Sequence, residues 1–380
     1  MGKGGKYLSK KVPVGRKKKI LPTILIVLVV IIALCVGAAL LYYNYLLGLI
    51  RKPTEVTVPV ENAMEMTDPG FSDATVSEDE TLGATVETSS TGETWPVIVS
   101  DENITNVMLV GQAARPGETA LIADTMILCS INRETKTLTM TSLMRDMRLQ
   151  WPEFIDSHGK SHTGNNRINM AYNMGYRWRG DVSGGMDLLE SIVEYNFGIP
   201  VDYTVEVNFE SVETIIRAIG GVEVDISQEE LDYLQKNYPG YFDDATVGMN
   251  TIGGYRALCY ARMRKVGHGD YERTERQREV ITSMLNNLRT MNIFKLHGLF
   301  TELLPVITTD MSSQQITNYA LEFIPMLKDL KIQSQRIPFD GNEMSVPVEI
   351  DGVMDYQIAP RDLKATAKQL QESIGMTPVS

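Results

Sequence analysis

Residues 105–111 (TNVMLVG), 125–132 (TMILCSIN) and 137–143 (TLTMTSL) decide the fold. Each run has strand length and is rich in aliphatic, β-branched and Thr side chains, and residues 132–136 predict a hairpin-like turn between the last two. Downstream the period changes to that of helices. Residues 186–197 place Leu188, Leu189, Ile192 and Val193 on one apolar face, and 210–219 is similarly amphipathic before Gly220 and Gly221 stop it. Residues 222–226 and 332–337 are further strand candidates, and 275–291, 293–304 and 314–327 read as apolar-rich helices. Short strands alternating with helices from about Asn103 onward predict an α/β domain.

The flanks of that domain set its surroundings. Eight of the 36 Lys and Arg stand in the first nineteen residues without an acid, which leaves 28 against all 48 Asp and Glu in residues 51–380. So acidic a body repels nucleic acid over most of its surface, and any phosphate site in it must be a local basic pocket. Residues 24–41 carry no charge and apolar neighbours lengthen the run, so 20–50 is expected to be a transmembrane helix. Lys17, Lys18 and Lys19 on one side and Tyr42, Tyr43 and Tyr45 on the other place the basic tail, residues 1–19, in the cytoplasm. The rest is then outside the cell membrane, as an acidic Ser/Thr-rich stalk (51–100), a folded domain (101–373) and a short C-terminal tail (374–380). Cys35, Cys129 and Cys259 have no zinc spacing and read as small buried hydrophobes; Cys129 and Cys259 could pair only if the fold brings them together.

The strongest chemical signal is Tyr260-Ala261-Arg262-Met263-Arg264, followed by Gly267-His268-Gly269-Asp270 and then Arg273, Arg276 and Gln277. An extended first part puts Arg262 and Arg264 on one face, and a helical second part puts Arg273 and Arg276 one turn apart. Four converging guanidiniums repel one another unless an anion lies between them, and Arg matches phosphate oxygens in a bidentate geometry. The same residues also fit a solvated helix, because Glu272 with Arg276 and Glu275 with Arg278 have ion-pair spacing. Further signals are Arg115 in the loop after the first strand, Asp124 at the start of the second, Arg145-Asp146 after the third, and Arg167-Ile168-Asn169 followed by Ala171-Tyr172.

Taken in order, these pieces resemble the signature of the LytR-CpsA-Psr family, over roughly residues 103–330. The signature runs through a strand ending in Gly, an Ala-Asp-Thr-Met segment, an Arg-Asp pair, an Arg-Ile-Asn-x-Ala-Tyr segment, and an Arg-x-Arg block leading to Gly-Asp-x-x-Arg-x-x-Arg-Gln. The resemblance implies an α/β/α sandwich with a mixed central sheet and a groove for a polyprenyl tail. It implies a Gram-positive-type envelope and a ligase that moves a glycan phosphate from undecaprenyl pyrophosphate to peptidoglycan, with Mg²⁺ on the pyrophosphate. Teichoic acid and capsule are the glycan classes it suggests. Carried over by position, Asp124 is a metal ligand, while Arg115, Arg145, Arg262, Arg264, Arg273 and Arg276 bind the pyrophosphate, with Asp270 and Gln277 in support. Asp124, Arg145 and Arg273 are the ones expected to carry catalysis.

Two positions depart from the family pattern: Ala113 stands where the family has an aspartate, and Ile122 where it has an arginine. Losing a carboxylate removes a ligand and weakens a Mg²⁺ site. The alternative to an active ligase is therefore a catalytically impaired member that binds or scaffolds lipid-linked glycan. A DNA-binding regulator is the third reading, and the topology puts the domain on the wrong side of the membrane for it.

Overall fold

The computed structural model describes residues 98–112, 123–267, 269–291, 307–350 and 353–378, together with Gly48, Lys295, Leu299 and Pro305. The expected cytoplasmic tail (1–19), the expected membrane helix (20–50) apart from Gly48, almost all of the expected stalk (51–100), Ala113, Arg115, Ile122 and His268 lie outside the described residues, as does nearly all of the helix expected over 293–304. Among the described residues no helix is long and apolar enough to cross a membrane.

The three opening runs are strands β1 (Ile104–Gln112), β2 (Ala123–Asn132) and β3 (Thr137–Leu143), paired antiparallel in sequence order. β6 (Tyr203–Val207) joins β1 in parallel, the two-residue β9 (Thr308–Thr309) caps β6, and β10 (Lys331–Ile337) lies parallel to β3 on the far edge. The sheet is therefore mixed, in the order β10-β3-β2-β1-β6-β9. One irregularity in it bears on function. Gly111 pairs with Thr125 but Gln112 pairs with Ala123, so Asp124 is an extra residue on β2 with no partner across the ladder. Such a bulge kinks the strand and re-aims a side chain.

Strand alternation sends side chains to two apolar layers. On one face Met108, Val110, Met126, Leu128 and Leu143 pack against helices α1 (Asn169–Arg179) and α2 (Val182–Phe197) through Tyr172, Leu188, Leu189, Ile192 and Val193. On the other, Leu109, Ile127, Cys129, Leu138 and Met140 meet Ile281 and Leu285. Helices thus cover both faces. Burying each of these aliphatic side chains contributes roughly 1.5–3 kcal/mol, which is what the alternating pattern in the sequence encodes. Asp181 caps α2 by accepting from the Gly184 amide.

A second cluster lies beside the sheet. It is built from α3 (Phe209–Ala218), the hairpin β7 (Val222–Ile226) and β8 (Gly248–Ile252), α4 (Gln228–Asn237) and α5 (Gly254–Ala261), closed by the long helix α6 (Asp270–Thr290). Several elements have no counterpart in the sequence reading. These are β6 and β9 of the central sheet, α1, α4, α5, β8, the hairpin β4 (Arg148–Ile155) with β5 (Ser161–Arg167), the hairpin β11 (Glu343–Ile350) with β12 (Val353–Pro360), and α8 (Leu363–Ser373). The helix expected over 314–327 is α7 (Ser313–Met326). Past α8, Ile374 and Met376 continue into the main core. Cys129 and Cys259 are free and sit in separate apolar clusters, where burial pushes their thiols up to about 12 and about 11.

Candidate functional site

Four segments far apart in sequence deliver the site. The β2 bulge presents Asp124. Arg145 sits in the turn between β3 and β4, which is sewn down by its neighbours: Met144 N–H donates to Ile337 O, Asn169 N–H to Arg145 O, and Ile358 N–H to Asp146 O. Arg264 comes from the loop after α5. Asp270 and Arg273 occupy the first turn of α6, whose N-cap, Gly269, has φ of +75°, a conformation only glycine adopts without strain.

The geometry is a cage of three guanidiniums around one carboxylate. Arg145 Nη1 donates to Asp124 Oδ1 at 2.6 Å, Arg264 Nη2 donates to the same oxygen at 3.2 Å, and Arg273 Nη1 stands 3.9 Å away. Asp270 forms the second anionic corner, with Arg273 Nε at 2.9 Å, Arg264 Nε at 3.5 Å and Arg145 Nε at 4.0 Å. Burial pushes the Asp124 carboxyl up, but Arg145, Arg273 and Arg264 outweigh it and hold the group below its usual range. Asp124 is therefore ionised and a poor base.

Arg273 is the unusual member. Its side chain is 2% exposed, and burial, together with Arg264 and Arg145, lowers it to about 10 against the pull of Asp270 and Asp124. Its Nη2 is buried with no hydrogen-bond partner among the described residues, and its contact with Asp270 lacks hydrogen-bond alignment. A guanidinium desolvated without satisfying its donors costs several kcal/mol, and an anion bound between these arginines would recover it.

Of the four arginines expected to converge, only Arg264 and Arg273 do so. Residues 260–264 are not a strand: Tyr260 and Ala261 end α5, and Arg262 continues in helical conformation at φ −100°, ψ −6°. Arg262 lies over the Phe209 ring, 4.5 Å from its centroid. Arg276 is buried and bonded elsewhere, to Glu230 Oε1 at 2.5 Å, Met263 O at 2.9 Å and Val266 O at 3.3 Å. Gln277 follows it on α6, half-buried.

Sequence reading undervalued two residues. Asp146 lies 3.4 Å from Arg145 and 3.7 Å from Arg167, and Arg167 reaches on to Asp355 at 3.5 Å. Arg145-Asp146 could be read as a local pair, whereas the link to Arg167 exists only because β4 and β5 fold back as a hairpin, with Arg148 opposite Arg167.

Comparison with known proteins shows the family and the fold. Residues 70–372 match the LytR_cpsA_psr family. The chain is 29% identical over 203 residues to the polyisoprenyl-teichoic acid–peptidoglycan teichoic acid transferase TagU of Enterococcus faecalis, covering 53% of this chain and 59% of that one. It is 26% identical over 280 residues to the Bacillus subtilis protein of the same name, covering 73% and 80%. The crystal structure of Bacillus subtilis TagT superposes with a TM-score of 0.53 at 25% identity, over 72% of this chain and 92% of that one. The match spans most of the chain and the mixed sheet agrees, so the chain belongs to the LytR-CpsA-Psr family.

Proposed function

We propose that this protein is a cell-wall glycopolymer ligase, which moves a glycan phosphate from a polyprenyl pyrophosphate carrier, undecaprenyl in type, to peptidoglycan. The supporting observation is Arg273, a buried cation with an unsatisfied donor, grouped with Arg145 and Arg264. In this reading the three guanidiniums grip the diphosphate and stabilise charge on the departing lipid phosphate. An acceptor hydroxyl oxygen bonds to the phosphorus that carries the glycan, and the bond from that phosphorus to the bridging oxygen breaks. The acceptor's proton ends on the departing lipid phosphate. Asp124 keeps the arginines oriented before substrate arrives.

The Mg²⁺ that the resemblance implies fits here only as an ion shared with substrate. Among the described residues no three metal-ligating side chains cluster, and Asp124 offers one carboxylate already engaged by arginines. Mg²⁺ binds readily through one or two carboxylates while taking its other oxygens from phosphates and water. Bound there, it would neutralise diphosphate oxygens. The same scarcity of carboxylates, with Ala113 standing in the sequence where the family has an aspartate, favours the second reading, an impaired member that binds and scaffolds lipid-linked glycan.

The reading also proposes a membrane setting: residues 20–50 span the cell membrane, residues 1–19 remain inside, and the caged site works outside on teichoic acid or capsule precursors. The test is transfer of labelled glycan phosphate from a polyprenyl pyrophosphate to peptidoglycan fragments by the full-length chain in detergent, with Mg²⁺. Transfer that is lost in Asp124→Ala upholds the ligase. Tight binding of the lipid without transfer overturns it in favour of the scaffold.

A further inference from the structure

A cavity of about 630 Å³ opens between α6 and β10, and its wall begins one residue past Asp270 of the guanidinium cage. Tyr271, the residue after Asp270, lines it with Glu275 and Arg278 at helical spacing. Opposite stands β10, whose Ile337 pairs with Leu143, two residues before Arg145.

Two buried groups in this cavity lack what burial ordinarily demands. Arg278 is 7% exposed, and burial lowers its pKa. Its Nε donates to Ser334 Oγ at 2.6 Å and its Nη1 to Ser142 Oγ at 2.8 Å, but among the described residues no carboxylate lies within ion-pair distance of it. Glu343 Oε2, in the same cavity, is buried with no hydrogen-bond partner among the described residues. One wall thus offers a guanidinium that feels Glu275 but touches no carboxylate among the described residues, and another an acceptor without a donor. A ligand carrying both hydroxyl donors and a carbonyl acceptor satisfies the two together.

The remaining lining selects the ligand class. Four carboxylates stand against two guanidiniums, and one of these, Arg336, is already paired with Asp340 and stacked 4.2 Å from the Tyr271 ring centroid. A net negative wall disfavours a second diphosphate. Phe339 and Tyr271, one face of which carries Arg336, give the cavity an aromatic lining for the C–H face of a pyranose, and the carboxylates accept from its hydroxyls. The volume falls in the range of about 300–1,000 Å³ typical of small-ligand sites, room for two linked sugar rings.

We propose that this cavity is the acceptor subsite. It holds a neutral, N-acylated glycan strand with Arg278 on an acyl carbonyl and Glu275 and Glu343 on hydroxyls, and delivers a hydroxyl to the diphosphate in the cage. The assignment of an acceptor role rests on the ligase reading above.

The probe is the β-1,4-linked tetramer of N-acetylglucosamine, titrated calorimetrically into the full-length chain in detergent micelles, with undecaprenyl pyrophosphate titrated separately. Glu343→Gln and Arg278→Lys are each expected to weaken the tetramer about tenfold, the worth of a hydrogen bond to a charged group. Glu275→Gln, an exposed helix position that cannot unfold the protein, is expected to act in the same direction. A wild-type chain that binds the pyrophosphate lipid but not the tetramer overturns the inference and leaves the ligase standing. Equal tetramer affinity in wild type and all three variants overturns it as well. Tetramer binding that weakens in the variants, in a chain that does not bind the pyrophosphate lipid, upholds the saccharide site and overturns the ligase reading alone.

Discussion

Arg276 donates from Nη1 to the carbonyl oxygen of Met263 at 2.9 Å, and the same guanidinium reaches Val266 O, so it clamps both sides of Arg264. Glu230 holds the other edge of Arg276 and is itself fixed by the Ser227 capping box on α4. An arginine with phosphate-binding spacing is therefore a positioning residue for the loop that carries a cage arginine.

Arg276→Ala should strand the Glu230 carboxylate and free the 262–269 loop. Breaking a buried pair from one side costs about 3–5 kcal/mol. Chemical denaturation is expected to show a loss of that order, with weaker pyrophosphate-lipid binding as a secondary effect. A stability within about 0.5 kcal/mol of wild type, the usual range for surface substitutions, would contradict the clamp.

Arg273→Met should separate stability from binding. Unlike Glu230, Asp270 and Asp124 keep two other arginines, so an apolar replacement of similar length relieves desolvation and repulsion from Arg145 and Arg264 without stranding a carboxylate, and stability is expected to stay within about 1 kcal/mol. Affinity for undecaprenyl pyrophosphate is expected to fall about a hundredfold, the loss typical of one partner in a buried charge-assisted contact. Thermal denaturation and calorimetry on one sample check both halves.

Gly111→Ala tests the bulge. A Cβ there would stand 2.9 Å from Thr125 Cβ, in the ladder position next to Asp124. Overpacking of this kind costs about 1–3 kcal/mol and should shift Asp124 off the arginines. The expected result is a lower melting temperature together with reduced transfer, whereas Gly159→Ala, in a turn with nothing near its Cβ but φ of +79°, should lower the melting temperature and leave transfer intact.

Glu190 gives the fold a pH dependence. Burial pushes its carboxyl up to about 8, with Asp310, Asp187 and Glu194 adding to the shift and the Thr204 hydroxyl, which donates at 2.5 Å, opposing it. The folded chain keeps a proton that the unfolded chain releases above the ordinary value of 4.5, so this stability is complete below that pH and is lost as pH rises through about 8. Glu190→Gln should raise the melting temperature at pH 8 relative to wild type and flatten its fall between pH 6 and 9. An unchanged slope would remove Glu190 as its source.

The amino-acid sequence by itself determined the central strands and the family. Side-chain alternation in 105–111, 125–132 and 137–143 is a local property, and each run became a strand within two residues of its expected ends. Elements whose apolar pattern is weak escaped it: β5, with no buried residue, is held by hairpin pairing, and α4 by its capping box and only two core leucines, Leu231 and Leu234. The site divides in the same way. Spacing singled out the arginines of 262–276 and the family resemblance added Asp124, Arg145 and Asp270, but four arginines in one block looked equivalent. Only the tertiary structure assigned Arg264 and Arg273 to Asp124, Arg276 to loop carbonyls and Arg262 to Phe209. A guanidinium's role depends on what surrounds it after folding, and those partners come from segments as distant in the chain as Asp124 is from Arg264.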